Sequence, residues 1–401
     1  MKTYFAGMFL TTGVLAVLGM NVSSQHEVKL PGARSEKLAS QFETLQAAVD
    51  ALPKEGGVVR LPAGKFEISE PLVIRGEDIT IEGTGTATHI VNTNTEGQPA
   101  IFLSHPDVKN ARTDKHNLWR IRLANFRITG NEKSGSGILA RRINEIHIDA
   151  VTISENGGDG ITLDHCYEDP RVSDCLITYN KQVGLNILGC HDIIVSANQF
   201  EENNDALHCI DGFNLTMSGN NLDDHLQHGV VIENTYGSVI AANMIEECQR
   251  SAIILDRNCY GITVSANVIA HNGGGVDLRD AHGCAISANT FTLMKTDAVR
   301  IGPDSGSITV AANHFSNSDI GDGQVRRGTN DLAAAGLVLE GTNHIGISGN
   351  GFSGLQSPAI ELRGEPSTDI LLDGNVFTNV SSQHTDLANP VLGEVIHTPK
   401  E

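Results

Sequence analysis

Positive charge is scarce in this chain. Its 401 residues include 28 Lys and Arg against 48 Asp and Glu, which gives a formal net charge of −20 at pH 7. Non-specific nucleic-acid binding requires a basic surface that neutralises phosphates, so the sequence predicts no nucleic-acid partner. The same imbalance disfavours a polyanionic substrate unless local cations or a bound metal ion reverse the field.

Long apolar segments are lacking after residue 20, so no later segment is expected to span a bilayer. Before that point, Lys2 precedes an uncharged run from Tyr4 to Met20. This pattern predicts a secretory signal peptide over residues 1–22, with an uncleaved membrane anchor as the alternative. The expected mature protein is secreted or periplasmic, monomeric, and free of the membrane.

Helix-length segments are missing from most of the chain, and a repeat takes their place. An Asn returns in the same short phrase every 22 to 25 residues, with one interval of 37. An apolar residue follows each Asn by two positions, and a second stretch of alternating apolar residues comes later in each repeat. Two or three short strands per repeat predict one turn of a parallel β-helix, whereas the leucine spacing of a leucine-rich repeat is absent. The repeated residues are Asn198, Asn220, Asn243, Asn267, Asn289, Asn313, Asn350 and Asn375.

The segment before the repeats has its own pattern. It reads FETLQAAVDAL from Phe42, which predicts an amphipathic helix near residues 42–52, ended by Pro53. It continues with GGVVRLPAGKF from Gly56 and ITIEGTG from Ile79. This opening, followed by the Asn-marked repeats, resembles the pectate-lyase-like superfamily of right-handed parallel β-helix proteins.

The resemblance implies an all-β fold, a single-stranded right-handed parallel β-helix over residues 40–380, closed by the N-terminal capping α-helix and followed by a C-terminal tail at 381–401. It also implies a protein that acts on a carbohydrate polymer through one exposed sheet. It does not fix the reaction, because this fold hosts lyases, hydrolases, epimerases and non-enzymatic proteins.

Cysteine is rare, and the seven residues cannot all pair within the chain. Cys166 and Cys190 fall at matching turn positions of adjacent repeats, which is compatible with a disulfide or with two stacked buried thiols. Cys175 and Cys209 fall at inward positions and are predicted to be core residues.

Equivalent positions on successive turns lie about 4.8 Å apart, so spacing along the sequence converts into outward-facing columns. The columns place charged and imidazole groups together over residues 205 to 257. One column contains Thr162, Asn186, His208, Val231, Ile254, Asp277 and Arg300; a second contains Asp164, Leu188, Ile210, Glu233, Asp256 and Arg279; a third contains Asp159, Val183, Asp205, His228, Ser251, Gly274 and Asp297. The predicted site comprises Asp205, His208, Asp211, His228, Glu233, Arg250, Asp256 and Arg257.

A further column lies seven residues before the repeated Asn. It contains His191, Phe213, Tyr236, Tyr260 and His282. Flat rings beside a polar groove are surfaces on which sugar rings stack, so the column predicts substrate binding. The alternative is an aromatic stack that only stabilises an exterior turn.

Removal of the C5 proton of a uronate, in β-elimination or C5 epimerisation, requires a base, a cation beside the carboxylate and a proton donor. His208 and His228 are predicted to exchange protons, Arg250 or Arg257 to neutralise the carboxylate, and Tyr236 to donate. A Ca²⁺ ion held by Asp205, Asp211 and neighbouring carboxylates is the alternative neutralising group. No other cofactor is expected.

Glycoside hydrolysis is the second hypothesis, because it requires two carboxyl groups on either side of one bond. Glu233 and Asp256 are expected one turn apart, near the retaining distance, and Asp205 and Asp256 two turns apart, nearer the inverting distance. A non-catalytic rod that binds polysaccharide is the third hypothesis. Zinc binding through His208, His228 and Asp205 is disfavoured, because no tight ligand motif is present.

Overall fold

The computed structural model describes residues 30–107, 114–316, 335–355, 357–378, 380 and 391–392. The predicted signal peptide and nearly all of the predicted tail lie outside these residues. The described residues from Arg34 onward group as one compact unit. Within the described ranges, no helix has the length and apolarity of a membrane span.

Strands dominate the described chain. In the first half they are β1 (Ser35–Leu38), β2 (Gly57–Arg60), β3 (Gly64–Ile68), β4 (Leu72–Ile74), β5 (Ile79–Glu82), β6 (Thr88–Asn92), β7 (Ile101–Ser104), β8 (Leu118–Trp119), β9 (Ile121–Thr129), β10 (Ile138–Arg141), β11 (Ile143–Asn144), β12 (His147–Ser154), β13 (Ile161–Asp164), β14 (Arg171–Ser173), β15 (Leu176–Thr178), β16 (Val183–Leu188), β17 (Ile194–Ser196), β18 (Gln199–Glu201), β19 (Asp205–Ile210), β20 (Thr216–Ser218) and β21 (Asn221–Asp223). In the second half they are β22 (Val230–Glu233), β23 (Val239–Ala241), β24 (Met244–Glu246), β25 (Ser251–Asp256), β26 (Cys259–Tyr260), β27 (Thr263–Ser265), β28 (Val268–Ala270), β29 (Gly274–Leu278), β30 (Ala281–His282), β31 (Ala285–Ser287), β32 (Thr290–Thr292), β33 (Asp297–Ile301), β34 (Gly306–Ala311), β35 (His314–Ser316), β36 (Ala335–Glu340), β37 (Asn343–Ser348), β38 (Gly351–Ser353), β39 (Ile360–Arg363), β40 (Thr368–Asp373), β41 (Val376–Thr378) and β42 (Val391–Leu392).

These strands stack as a parallel coil. β4, β7, β10, β13, β16, β19, β22, β25, β29, β33, β36 and β39 form a 12-stranded sheet, β8 pairs with β11, and the others form a 28-stranded sheet. The predicted parallel β-helix is therefore confirmed. The register also matches the predicted columns, since Asn186 pairs with His208 and Glu233 pairs with Asp256 as Cα partners.

The repeated Asn residues form a buried ladder of side-chain amides. Asn198 donates through Nδ2 to Oδ1 of Asn220 at 3.0 Å, and also to the carbonyl of Val172 at 3.0 Å. The residue before the Asn has a left-handed backbone, with φ of 56° at Ala197 and 55° at Ala242. A left-handed L-residue costs roughly 1–2 kcal/mol. The ladder holds the turn in place because each amide satisfies backbone groups that the bend removes from the sheets.

The interior of the coil is filled by stacked apolar side chains, as the repeat predicts. The rings of Phe291 and Phe315 are stacked with centroids 5.0 Å apart, and those of Phe315 and Phe352 are 4.7 Å apart. Phe200 and Leu222 are fully buried in the same position on earlier turns. Apolar residues at one repeated position therefore build a continuous core along the coil.

The predicted capping helix is confirmed and is shorter than expected. Helix α1 spans Leu45–Asp50, and the Thr44 hydroxyl accepts a hydrogen bond from the Ala47 N–H at 3.0 Å. Gln46 donates to the carbonyl of Val73 at 3.0 Å and accepts from its N–H at 2.8 Å. The helix thus supplies hydrogen-bond partners to backbone groups at the open edge of β4, the terminal strand of the 12-stranded sheet. Two 3₁₀ turns occupy Ala39–Gln41 and Asp114–His116.

All seven cysteines are buried free thiols. The N–H of Cys166 donates to Sγ of Cys190 at 3.3 Å, so the two residues are stacked thiols rather than a disulfide. Burial raises the pKa of Cys175 and of Cys209 to about 12. Both residues are core residues, as predicted, because a neutral thiol behaves as a small apolar side chain.

Candidate functional site

Two consecutive buried residues separate the charged residues of β19 that lie on the outer face of the 12-stranded sheet. The N–H of Ala206 donates to two carbonyls of the next turn, those of His228 at 3.2 Å and Gly229 at 3.0 Å. Ala206 and Leu207 both belong to the core. Asp205 and His208 can therefore both point outward although they are three residues apart.

Asp205 is the most enclosed carboxylate of this group and has three polar contacts. Its Oδ1 accepts the backbone N–H of His228 at 2.6 Å, and its Oδ2 accepts Nδ2 of Asn204 at 3.0 Å. Nε2 of His208 lies 3.3 Å from the same Oδ2, outside hydrogen-bond geometry. Burial would raise the pKa of Asp205, but the nearby His208 side chain and the His228 N–H outweigh burial and lower it. Asp205 therefore stays ionised beside the His208 ring and the His228 backbone N–H.

His228 is held as a neutral donor. Its Nδ1 accepts the Ser251 N–H at 3.2 Å, so in the neutral ring Nε2 carries the proton. Burial lowers the pKa of His228, and the charges of Arg279 and Arg250 lower it further against the opposing effect of Asp205. The ring is thus arranged to donate from Nε2 at neutral pH rather than to accept a proton there.

The two predicted arginines differ in their surroundings. Nη1 of Arg257 lies 2.6 Å from Oε2 of Glu233, so that guanidinium is already paired. Arg250 is exposed, and no side-chain ion pair or hydrogen bond of it is found among the described residues. Its charge still influences His228. Of the two, Arg250 is the cation without such a pairing among the described residues, and the role of Arg257 stays a prediction.

Two predicted pairings are wrong. Asp205 begins β19 and Asp256 ends β25, five strand positions further along the register. At about 3.3 Å per residue they are roughly 16 Å apart along the strand direction, too far for an inverting carboxyl pair. Asp211 follows the end of β19, about 20 Å from Asp205 by the same measure, so these two residues cannot share a Ca²⁺ ion. The pair Glu233 and Asp256 does lie on adjacent strands in register.

A second charged cluster lies further along the same columns, and the sequence interpretation did not include it in the site. Asp277 is only 7% exposed and accepts Nε of Arg279 at 2.8 Å, while Nη1 of Arg300 lies 3.5 Å from its other oxygen. Burial raises the pKa of the nearby Asp297. The sequence could have revealed this cluster, because Asp277, Arg279, Asp297 and Arg300 all occupy the predicted columns.

The predicted aromatic column exists, but it lies outside the 12-stranded sheet that carries Asp205 and His208. His191, Phe213, Tyr236 and Tyr260 pair in sequence as parallel bridges. The ring centroids of Phe213 and Tyr236 are 6.0 Å apart. Tyr260 and His282 pair in the 28-stranded sheet, not the 12-stranded one.

The rings are accessible, since Phe213 is 44% and Tyr260 57% exposed. Tyr167 extends the stack, with its ring centroid 4.7 Å from that of His191. The hydroxyl of Tyr236 donates to Oδ1 of Asn234 at 3.1 Å within its own turn. Tyr236 is therefore not positioned as the proton donor at His208.

One acidic group lies on another part of the coil. Oxygen atoms of Asp223, Asp224 and Glu247 lie within 4.8 Å of one another. A hydrogen bond with Asp224, together with burial and like charge, raises the pKa of Glu247. Asp223 and Asp224 lie at the end of β21, and Glu247 directly follows β24 on the next turn.

The comparisons with known proteins agree with this architecture. The family described as "Right handed beta helix region" matches residues 136–275 and 251–389. Among curated proteins, no sequence matches this chain.

Several solved structures share the fold at low sequence identity. The A-module of mannuronan C-5 epimerase AlgE4 from Azotobacter vinelandii aligns with a TM-score of 0.59 and 17% identity, covering 90% of this chain and 100% of the module. The surface adhesin PfbA of Streptococcus pneumoniae aligns with a TM-score of 0.54 and 14% identity, covering 90% of this chain and 96% of the adhesin chain. Tailspike protein 3 of bacteriophage CBA120 aligns with a TM-score of 0.57 and 12% identity, covering 86% of this chain and 61% of the tailspike chain.

Proposed function

Since the chain belongs to the right-handed β-helix family, we propose that the outer face of its 12-stranded sheet acts on a carbohydrate polymer. The proposed reaction is removal of the C5 proton of a uronate residue, which leads to β-elimination or to C5 epimerisation. One structural neighbour, the AlgE4 module, is a C-5 epimerase. We further propose that the protein works outside the cytoplasm, where such polymers occur and where two of its structural neighbours, a surface adhesin and a tailspike, also act.

The observation that carries the proposal is the convergence of Asp205, His208 and His228. One ionised carboxylate contacts the His208 ring and the backbone N–H of His228. Carbon-acid chemistry needs both a proton acceptor and a proton donor within reach of one sugar ring. The pair Asp205–His208 supplies the acceptor, and Nε2 of His228 supplies the donor.

Arg250 provides the positive charge that neutralises the carboxylate of the uronate. A uronate loses its C5 proton only when the adjacent carboxylate is neutralised, because the electrons left behind are delocalised into that group. Arg250 is exposed and close enough to His228 to affect its pKa. It therefore offsets the overall acidity of the chain at this point, which answers the objection raised by the net charge of −20.

Two other functions remain as alternatives to this proposal. Hydrolysis would use Glu233 and Asp256, which are in register on adjacent strands and so about 5 Å apart, near the retaining distance. Against it, Glu233 is paired with Arg257 at 2.6 Å. Binding without catalysis would use the exposed rings of Phe213 and Tyr260 alone.

The test is exchange of the C5 proton during incubation of the protein with uronate-containing polymers in D₂O. Deuterium at C5 without chain cleavage would indicate epimerisation, and ultraviolet absorbance from a new C4–C5 double bond would indicate elimination. We expect H208A and H228A to lower the rate by about 100-fold or more, and H314A, an exposed residue of the 28-stranded sheet, to leave it unchanged. New reducing ends without exchange at C5 would replace this proposal with hydrolysis.

A further inference from the structure

Two buried polar atoms on adjacent strands lack a hydrogen-bond partner. Within the described residues, these atoms include Nε2 of His208 and Oδ1 of Asn186. Asn186 on β16 and His208 on β19 are Cα partners in one outward column, so their side chains lie next to each other. Buried polar atoms are almost always satisfied, and two neighbouring exceptions point to a shared partner that binds at this position.

The orientation of Asn186 supports this interpretation. Its Nδ2 donates to Oδ2 of Asp159 at 3.0 Å, and Asp159 is fixed in turn by the Thr162 hydroxyl at 2.8 Å and the Val183 N–H at 3.1 Å. A carboxylate accepts only, so the nitrogen of the amide must face Asp159. The amide oxygen then faces away from Asp159, toward the turn that carries His208.

The separation of His208 and Asp205 fits two ligands of one ion. Nε2 and Oδ2 are 3.3 Å apart in an orientation that does not form a hydrogen bond. Ligand atoms about 2.0–2.2 Å from a tetrahedral metal ion are roughly 3.3–3.6 Å from each other. A hydrogen bond would be shorter and better aligned. The contact therefore has the geometry of one edge of a coordination polyhedron.

We propose that Asp205, His208 and Asn186 bind a divalent transition-metal ion. One imidazole nitrogen with two oxygen ligands suits Zn²⁺ or Mn²⁺, whereas Ca²⁺ prefers oxygen ligands only. The ligand atoms are Oδ2 of Asp205, Nε2 of His208 and Oδ1 of Asn186. Asn204 and the His228 N–H hold the Asp205 carboxylate, and Asp159 holds the Asn186 amide, as second-shell partners do at metal sites.

This site deepens the proposed function and rests on the same centre. Three protein ligands leave room for water, and a bound ion lowers the pKa of that water toward neutrality. A bound ion would supply a water of lowered pKa as acceptor of the C5 proton, and His208, whose Nε2 lone pair would be used by the ion, would then hold the ion rather than accept the proton.

Metal binding by the full chain tests the inference without any assay of activity. The protein is stripped with chelator and titrated calorimetrically with Zn²⁺, Mn²⁺ and Ca²⁺ alone, and bound metal is counted by mass spectrometry after dialysis. We expect one Zn²⁺ per chain, weaker Mn²⁺ and no Ca²⁺ at this site. H208A should weaken Zn²⁺ binding by about 100-fold or more and N186A by about 10-fold, with far-ultraviolet circular dichroism unchanged.

The matched control is H282A. His282 also has an aspartate oxygen near its Nε2, that of Asp280 at 3.5 Å, but it lies on the 28-stranded sheet without a neighbouring unpaired Asn oxygen in the described chain. Its replacement should leave the stoichiometry and affinity unchanged. Equal Zn²⁺ affinity in H208A and in the unmodified protein, or absence of a bound ion, would overturn the inference. If exchange at C5 persisted in the metal-free protein, the role of the ion in proton removal would be overturned while the proposed function stood.

Discussion

Asn243 donates through Nδ2 to Oδ1 of Asn267 at 3.0 Å and receives Nδ2 of Asn220 on its own Oδ1 at 2.9 Å. The same Oδ1 also accepts the Asn220 N–H at 3.0 Å. Each amide therefore connects the turn below it to the turn above it. Removal of one amide leaves buried groups of two other turns without partners.

We expect Asn243→Ala to lower the free energy of unfolding by about 3 kcal/mol or more, because several buried hydrogen bonds are lost and their partners stay buried. Urea denaturation monitored by circular dichroism measures the change. Asn221→Ala is the control, since the Asn221 side chain faces outward and donates to Gln199 on the same face. A similar loss in both variants would show that the ladder has no special role in stability.

The phenylalanine stack should be equally sensitive to truncation. Phe315 lies between the rings of Phe291 and Phe352 and is fully buried. Phe315→Ala is expected to cost about 3–5 kcal/mol in the free energy of unfolding, whereas Phe213→Ala, on the exposed aromatic column, should cost well under 1 kcal/mol. Thermal and urea unfolding of both variants would decide the point. Equal effects would mean that the exposed column also supports the fold.

The buried His225 predicts a loss of stability in mild acid. Burial lowers the pKa of this side chain to about 4, against 6.5 for an ordinary histidine, although nearby carboxylates such as Asp205 act in the opposite direction. Between these values the unfolded chain binds a proton that the folded chain does not, so stability decreases as the pH falls from 6.5 toward 4. The difference of about 2.5 units corresponds to about 3 kcal/mol.

His225→Asn should remove most of this pH dependence, because an amide does not titrate in this range. Asn is suited to the position because it would extend the buried amide column that contains Asn180 and Asn203. The measurement is the free energy of unfolding at a series of pH values from 7 to about 4.5. His271→Asn is the control, since that ring is more accessible and lies 3.7 Å from Glu247. An unchanged slope in His225→Asn would assign the acid sensitivity to other groups.

The two arginines of the predicted site should behave differently in catalysis. Arg250→Ala is expected to lower kcat/KM on a uronate polymer by about 100-fold, as the loss of one preorganised charge at a transition state does. Arg257→Ala removes a cation already paired with Glu233 and should change kcat/KM by only a few-fold. The same decrease in both variants would contradict the assignment of Arg250 as the carboxylate-binding group.

Much of the architecture was predictable from the sequence, because a stacked coil turns residue spacing directly into position. The Asn period correctly predicted the turns and the outward columns, including the alignment of Glu233 with Asp256. Position along a strand was harder to predict. The succession of two buried residues at Ala206 and Leu207, and the distance from Asp205 to Asp256, depend on where each strand begins, which the period alone does not specify.

Side-chain partners were the least predictable part of the site. Arg250 and Arg257 both appeared as free cations in the columns, and only the structure shows that Arg257 contacts Glu233. The acceptor role of Nδ1 in His228 also depends on one backbone N–H of the next turn. Such pairings are decided by rotamers, and rotamers do not follow from the period of a repeat.

The outward positions of Asp205 and His208 recur on every turn of the coil. The same two positions hold Asp159 with Thr162 on an earlier turn and Asp297 with Arg300 on a later one. Two substitutions would therefore move a reactive pair along the rod by one turn, while the Asn ladder and the core remain untouched. A scaffold of this kind separates the evolution of its chemistry from the evolution of its stability, so new sites can arise at new positions without a new fold.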